Sequence, residues 1–215
     1  MIAPSRASRT RAPRSIALFG GSFDPIHSGH LAVARAACRR FELDEVHFIP
    51  AGRPPHKKSR HLAPYLHRLA MVVLACAGEP RFVPSLAEAG DDLSGRGTHY
   101  SIDVVRAFRS RLRRGQRLYF LVGADAFLTI GTWKESAALL EACEFLVATR
   151  PGVTSAELRR ALPEAMSRSG VHVLHGVSSP CSSSAIRHRV TRGLSIRGLV
   201  PAVVEDYICK LGLYR

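Results

Sequence analysis

The chain has 215 residues and a formal net charge of +14, with 46% hydrophobic and 22% charged residues. This composition suits one globular domain with a sizeable core, and no apolar run approaches the roughly 18 residues that cross a bilayer, so we expect no membrane partner. The arginines are spread along the predicted helices and aromatic residues make up only 7%, a pattern that disfavours a nucleic-acid partner and leaves a polyanionic small substrate to explain part of the charge.

The first fourteen residues contain four arginines separated by small residues and prolines, and they contain no acidic residue. A transit peptide is one interpretation, whereas a secretory signal would need an apolar segment that this stretch lacks. We expect a basic, disordered extension over 1–14, a single domain over 15–215 and a cytoplasmic location.

Short apolar runs alternate with helix-period segments along the rest of the chain. The alternation predicts an α/β fold with a doubly wound parallel sheet, in which ligands bind beyond the carboxyl ends of the strands. Residues 87–98 are predicted to form a surface loop. The predicted strands are 16–19, 46–49, 82–84, 118–122, 144–148 and 171–174. The predicted apolar helix stripes are Leu31, Ala34, Cys38 and Phe41; Leu66, Leu69, Val73 and Ala77; Ile102, Val105, Phe108 and Leu112; and Val200, Val204, Tyr207, Ile208 and Leu211.

The five cysteines are odd in number and scattered, and none forms a Cys-x-x-Cys pair. We therefore expect buried free thiols in a reducing compartment rather than disulfides or a zinc site. The residues concerned are Cys38, Cys76, Cys143, Cys181 and Cys209.

The most informative segment is residues 20–31, between the first predicted strand and the first predicted helix. Gly20 and Gly21 let the backbone approach a ligand closely. The positive end of the following helix favours a phosphate, and His27 and His30 can donate to phosphate oxygens whose charge grows during a displacement at phosphorus. The segment lacks both the Gly-x-Gly-x-x-Gly dinucleotide fingerprint and a P-loop lysine. Two surface histidines or a zinc-binding pair are the alternatives, but a zinc site would need two more ligands nearby.

The whole segment resembles the signature of the nucleotidyltransferase superfamily, whose core is His-x-Gly-His, here His27-Ser28-Gly29-His30. Further stretches resemble bacterial nicotinate-nucleotide adenylyltransferases, and the likeness runs from about Ser15 to Tyr214. These stretches are 49–57, 97–103, 121–125 with 132–134, and 181–187. The chain departs from the family pattern at His99, Ser101, Cys181 and Ser184, where the family has Ser, Thr, Ile and Thr.

The resemblance implies a Rossmann-like nucleotidyltransferase fold and transfer of AMP from ATP to nicotinate mononucleotide, giving deamido-NAD and pyrophosphate in NAD biosynthesis. Mg²⁺ is implied through the substrate phosphates, with no protein ligand. The same chemistry on nicotinamide mononucleotide, phosphopantetheine or a phosphorylated alcohol is the alternative. The oligomeric state stays open, a homo-oligomer included.

The resemblance also assigns roles to individual residues. The catalytic set is His30, which donates to the α-phosphate, His27, which holds the β- and γ-phosphates, and Arg187, which can grip a phosphate bidentately. Asp125 would accept from the ribose hydroxyls of ATP. Without the resemblance, Asp125 would be interpreted as a helix cap. Trp133 would stack on the nicotinate ring. Without the resemblance, Trp133 would be interpreted as a residue of the hydrophobic core. The expected ATP-binding set is Gly20, Gly21, Ser22, Phe23, His27, His30, Gly123, Asp125, Ser182, Ser183, Ser184 and Arg187. The expected set for nicotinate mononucleotide is Asp24, Lys57, Tyr100, Ser101 and Trp133.

Overall fold

A computed structural model describes residues 15–52, 62–90, 93, 99–149, 158, 160, 170–176 and 181–215. The predictions for residues 1–14 and for Lys57 lie outside these residues. None of the helices in the described part of the chain is long and apolar enough to cross a membrane.

The described residues form one parallel sheet of six strands in the order β3-β2-β1-β4-β5-β6, and every predicted strand lies within one of them. The order reverses at the junction of β1 and β4. At such a junction the connecting loops diverge and leave a crevice at the carboxyl ends of the strands. The strands are β1 (Ser15–Gly21), β2 (Glu45–Pro50), β3 (Phe82–Pro84), β4 (Arg117–Gly123), β5 (Glu144–Ala148) and β6 (Val171–Leu174).

Helices cover both faces of the sheet, which confirms the doubly wound α/β prediction. Alternate residues of β1 belong to different cores: Ala17 and Phe19 pack with one cluster, Ile16 and Leu18 with the other. The first core takes side chains from α1, α2, α6 and α7, and the second from α3, α4 and α5. The helices are α1 (Ser28–Arg40), α2 (Tyr65–Cys76), α3 (Ser101–Arg109), α4 (Ala124–Phe127), α5 (Ser136–Ala142), α6 (Ser183–Thr191) and α7 (Ala202–Lys210), with a 3₁₀ turn at Ile130–Thr132.

The predicted buried face of α2 is wrong. Leu66 and Val73 were expected in the core but are 54% and 46% exposed, whereas Arg68 is only 2% exposed. The segment is apolar around most of its circumference, so the hydrophobic period alone does not fix which face packs on the sheet. The side chains that α2 buries are Tyr65, Arg68, Met71, Val72, Ala75 and Cys76.

Two expectations for the last part of the chain also fail. Leu211 is 50% exposed and lies one residue beyond the end of α7 at Lys210. Cys209 is exposed and Cys181 is half-buried, whereas the other three thiols are buried as expected, and none of the five forms a disulfide. Burial raises the pKa of the Cys76 and Cys143 thiols to about 12, which keeps both in the unreactive protonated form.

Candidate active site

The loop after β1 is held by a buried aromatic ring. Phe23 adopts a left-handed backbone conformation (φ 45°), and its fully buried ring lies edge-on to His30, with 5.0 Å between ring centres. A Cβ on Gly21 would lie 3.1 Å from two atoms of that ring. A side chain at position 21 would therefore press on the Phe23 ring. A contact between Phe23 and ATP, which the sequence predicts, would have to come from the backbone.

Replacing Gly21 with alanine is expected to lower the free energy of unfolding by about 1–3 kcal/mol, the usual range for overpacking. The Phe23 ring is itself packed, because it contacts Phe48 with 5.7 Å between ring centres and Phe19 with 5.6 Å. Gly20→Ala is the matched comparison, since a Cβ there would meet Phe120 at an ordinary 3.6 Å. Denaturant unfolding of both variants measures the difference, and equal losses would contradict this role of Gly21.

The two histidines of the loop stack on each other at the start of α1. Their ring centres are 3.7 Å apart with an interplanar angle of 25°. The backbone N–H of His27 donates to Nδ1 of His30 over 3.2 Å. Since Nδ1 of the neutral ring then acts as an acceptor, its proton sits on Nε2, which becomes a hydrogen-bond donor. The Ser28 N–H at this helix end already donates to the carbonyl of Leu199, so the imidazoles supply donors that this amide cannot.

The amino-terminal end of α6 docks on the same loop. The Ser183 hydroxyl donates to the Pro25 carbonyl at 3.0 Å, and Nη1 of Arg187 donates to the Asp24 carbonyl at 2.7 Å. Nη2 of Arg187 lies 3.4 Å from the Ser184 hydroxyl. The Ser182 hydroxyl accepts from the Ala185 N–H, as an ordinary helix cap does. Predicted phosphate-binding residues from both ends of the sequence therefore meet at one loop.

Asp24 is the centre of a buried polar cluster. Its carboxylate has no exposed surface, and Oδ1 accepts from the Tyr214 hydroxyl at 2.7 Å and from the Ala63 N–H at 3.1 Å. Oδ2 lies 3.5 Å from Nη1 of Arg187. Burial and the neighbouring carboxylate raise the pKa of Tyr214, which stays protonated as a donor. The sequence places Asp24 in the acceptor site and gives no signal for Tyr214.

A cavity of about 470 Å³ opens beside the loop, at the carboxyl ends of β1, β2 and β4. The predicted acceptor residues Tyr100, Ser101 and Trp133 line it together, next to Gly20, Gly21 and Ser22, which the sequence assigns to ATP. Gly123 ends β4 and Asp125 lies in α4, and both are exposed, but they are not among the lining residues. The remaining lining residues are Ile49, Ala51, Glu88, His99, Val104, Phe120, Val122, Ala126, Thr132 and Lys134.

Aromatic contacts fix the cavity wall formed by α3 and the 3₁₀ turn. Trp133 packs edge-on against Phe120, with ring centres 6.0 Å apart, and its Nε1 lies 3.4 Å from the Thr129 hydroxyl. Nζ of Lys134 lies 4.2 Å from the centre of the Tyr100 ring. A flat ring and an anion are the groups that such a wall suits.

Glu88 lies in the segment predicted as a surface loop, and that prediction is wrong for the residues next to the cavity. Glu88 is half-buried and lines the cavity, and Ala89 is buried. The carboxylate accepts from the Gly52 N–H at 3.0 Å, and burial raises its pKa to about 7. The sequence signal is weak: one glutamate between small apolar residues just after β3.

The donors around the loop suit phosphate oxygens better than a metal ion. Two imidazoles and a guanidinium surround it, whereas Mg²⁺ prefers carboxylate, phosphate and water oxygens. Within the described residues no group of three or more histidines, cysteines or carboxylates is placed to hold a metal.

The fold and the site define a class. A parallel sheet of this order, with a His-x-Gly-His turn after β1 and a basic helix docked against it, is the arrangement of nucleotidyltransferases. Consistently, residues 18–189 match the Cytidylyltransferase-like family.

Curated relatives narrow the class further. A probable nicotinate-nucleotide adenylyltransferase of Moorella thermoacetica is 41% identical over 206 residues, covering 94% of this chain and 93% of that protein. One of Solibacter usitatus is 44% identical over 189 residues, covering 88% and 94%. The chain belongs to the nicotinate-nucleotide adenylyltransferase family. The Plasmodium falciparum nicotinic acid mononucleotide adenylyltransferase complexed with NaAD shares the fold, with a TM-score of 0.75 at 19% identity over 94% of this chain and 97% of that one.

Proposed function

We propose that the protein transfers AMP from ATP to nicotinate mononucleotide, releasing pyrophosphate and forming deamido-NAD. One observation carries the proposal: a single loop bears the stacked imidazoles at its end and lines the aromatic cavity at its start. A triphosphate and a ring-bearing acceptor can therefore meet across this loop. The names of the curated relatives support the same substrates.

The reaction needs alignment and charge stabilisation rather than a protein nucleophile. A 5′-phosphate oxygen of the acceptor attacks the α-phosphorus of ATP, a new P–O bond forms, and the bond from the α-phosphorus to the oxygen that bridges to the β-phosphate breaks. The electron pair leaves with pyrophosphate. We assign Nε2–H of His30 to the α-phosphate oxygens, and His27 and Arg187 to the leaving pyrophosphate. Ser182, Ser183, Ser184 and Asp125 complete the proposed ATP site.

The acceptor is proposed to lie in the cavity with its ring against Trp133. Tyr100 precedes α3 and Ser101 begins it, so the first backbone N–H groups of this nine-residue helix have no partner within the helix. Such N–H groups favour a carboxylate over an uncharged amide. This supports the acid as the acceptor.

We propose that Mg²⁺ reaches the site on the phosphates of ATP, with water as its other ligands. When bound, the ion would offset the negative charge of the triphosphate. We also propose that residues 15–215 act as one domain in the cytoplasm.

Product analysis tests the proposed function directly. The purified protein is incubated with ATP, Mg²⁺ and either nicotinate or nicotinamide mononucleotide, and products are identified by mass while pyrophosphate is assayed. We expect deamido-NAD to form at least about tenfold faster than NAD, because a buried polar group left without its partner costs about 1–3 kcal/mol. Equal rates would contradict recognition of the carboxylate. No pyrophosphate with either acceptor would contradict the function itself.

A further inference from the structure

The guanidinium of Arg68 is buried in the middle of three loops. Nη1 donates to the carbonyls of Ser22 at 2.9 Å and Ala51 at 2.7 Å, and Nη2 to Gly52 at 3.3 Å. Nε donates to the carbonyl of Ala63 at 3.0 Å. One side chain therefore ties the loop after β1 to the loop after β2 and to the start of α2.

Glu88 holds the same backbone from the other side. The Ala51 carbonyl and the Gly52 N–H belong to one peptide group, and in a trans peptide these two groups point in opposite directions. Arg68 donates to the carbonyl, and Glu88 accepts from the N–H. Both polar groups of the Ala51–Gly52 peptide are therefore hydrogen-bonded to side chains. In addition, the Ala51 N–H donates to the Gly21 carbonyl at 2.8 Å.

The Ala51–Gly52 peptide forms part of the cavity wall. Ala51, Glu88, Gly21 and Ser22 all line the cavity. A shift of this peptide would move the cavity wall against which the acceptor is proposed to lie. Misplacement of about 1 Å at a reacting group can cost on the order of 100-fold in rate.

We propose that Arg68 and Glu88 are positioning residues, which fix the wall of the acceptor cavity by hydrogen-bonding the Ala51–Gly52 peptide from opposite sides. The inference rests on the proposed function in one respect, the assignment of this cavity to the acceptor mononucleotide. Neither side chain needs to touch the phosphates of ATP.

The test compares Arg68→Lys, Glu88→Ala and Glu88→Gln with the wild type. Lysine keeps the charge but cannot present the planar fork that reaches four carbonyls. Alanine removes the acceptor of the Gly52 N–H, whereas glutamine keeps an acceptor oxygen. Assays at about pH 6 hold the wild-type carboxyl, whose pKa is about 7, mainly in its uncharged form, so that the glutamine variant matches it in charge.

Binding is measured separately from turnover. Trp133 is the only tryptophan in the chain and lines the cavity, so its fluorescence reports acceptor binding without ATP. We expect Kd and KM for nicotinate mononucleotide to rise about tenfold or more in Arg68→Lys and Glu88→Ala, with KM for ATP changed less than about twofold. Glu88→Gln should restore wild-type Kd.

Arg81→Lys is the matched control, because Arg81 donates to the Leu43 carbonyl at the amino ends of β2 and β3, the opposite end of these strands from the cavity. Unchanged acceptor affinity in Arg68→Lys and Glu88→Ala overturns the proposal, as does an equal rise in both KM values, which a merely structural role would produce. If Arg68→Lys does not fold, the contrast between alanine and glutamine at the half-buried position 88 decides. If the wild-type protein binds nicotinate mononucleotide but shows no turnover, only the proposed function is contradicted. If the wild-type protein does not bind nicotinate mononucleotide, the positioning role of Arg68 and Glu88 is overturned as well.

Discussion

Replacing His30 with alanine is expected to lower kcat by about 10²–10³-fold, the loss seen when one donor to a developing oxyanion is removed. The expectation rests on the tautomer. Because His27 donates its backbone N–H to Nδ1 of His30, the Nε2–H of His30 is a fixed donor at the positive end of α1. Phe23 packs edge-on against the ring and limits its rotation. The donor is therefore oriented before substrate arrives.

The size of the effect distinguishes catalysis from packing. The ring of His30 is half-buried, so its loss should cost roughly 1–2 kcal/mol of stability and leave the protein folded at room temperature. Trp133 fluorescence should show acceptor binding within about twofold of the wild type, because the imidazole is assigned to ATP rather than to the cavity. Pyrophosphate release at saturating substrates measures kcat.

His188→Ala is the control for the loss of an imidazole, since His188 is exposed on α6 and has no role in the proposed chemistry. It should retain wild-type turnover. A His30→Ala enzyme that keeps near-normal turnover would remove His30 from the mechanism. A variant that loses acceptor binding in parallel with turnover would instead make the ring a packing element of the loop.

The sheet and the loop after β1 are predictable from the sequence because their signals are local. The central strands β1, β4 and β5 are apolar runs buried on both faces, and the histidine pair lies within one short segment at a strand–helix junction. The cavity is less accessible to such reasoning. Tyr100, Ser101 and Trp133 are far from the loop in sequence, and only the family resemblance placed them with it.

The residues that the sequence did not reveal act through backbone atoms. Arg68 occupies a buried helix face because four carbonyls satisfy its guanidinium, and carbonyls leave no trace in the amino-acid pattern. Glu88 is held by a backbone N–H in the same way. Hydrophobic periodicity treats both as solvent-facing residues, which is why the packing of α2 and the loop after β3 were predicted wrongly.

Replacing Asp24 with alanine is expected to lower the free energy of unfolding by about 3–5 kcal/mol, because two hydrogen bonds to a charged group, each worth about 1.5–3 kcal/mol, are lost. The Tyr214 hydroxyl and the Ala63 N–H would lose their acceptor, and Arg187 would lose the carboxylate 3.5 Å from Nη1. Urea unfolding at neutral pH measures the change. Asp206→Ala, the same loss of charge at an exposed position of α7, should stay within about 0.5 kcal/mol of the wild type.

A double-mutant cycle separates this structural role from the acceptor contact that the sequence predicts for Asp24. Tyr214→Phe removes only the hydroxyl donor and should cost about 1 kcal/mol. Combined with Asp24→Ala, which removes the acceptor, it should show a coupling of about 0.5–3 kcal/mol in stability, because the two groups share one hydrogen bond of 2.7 Å. If Asp24 instead binds the mononucleotide, Asp24→Asn raises KM for the acceptor, and the coupling with Tyr214 is zero within error. The same carboxylate lies beside Arg187, so the stability of this buried cluster and the position of a proposed phosphate ligand both depend on Asp24. The kcat of the folded Tyr214→Phe protein then shows whether loss of the Tyr214 hydroxyl also changes turnover.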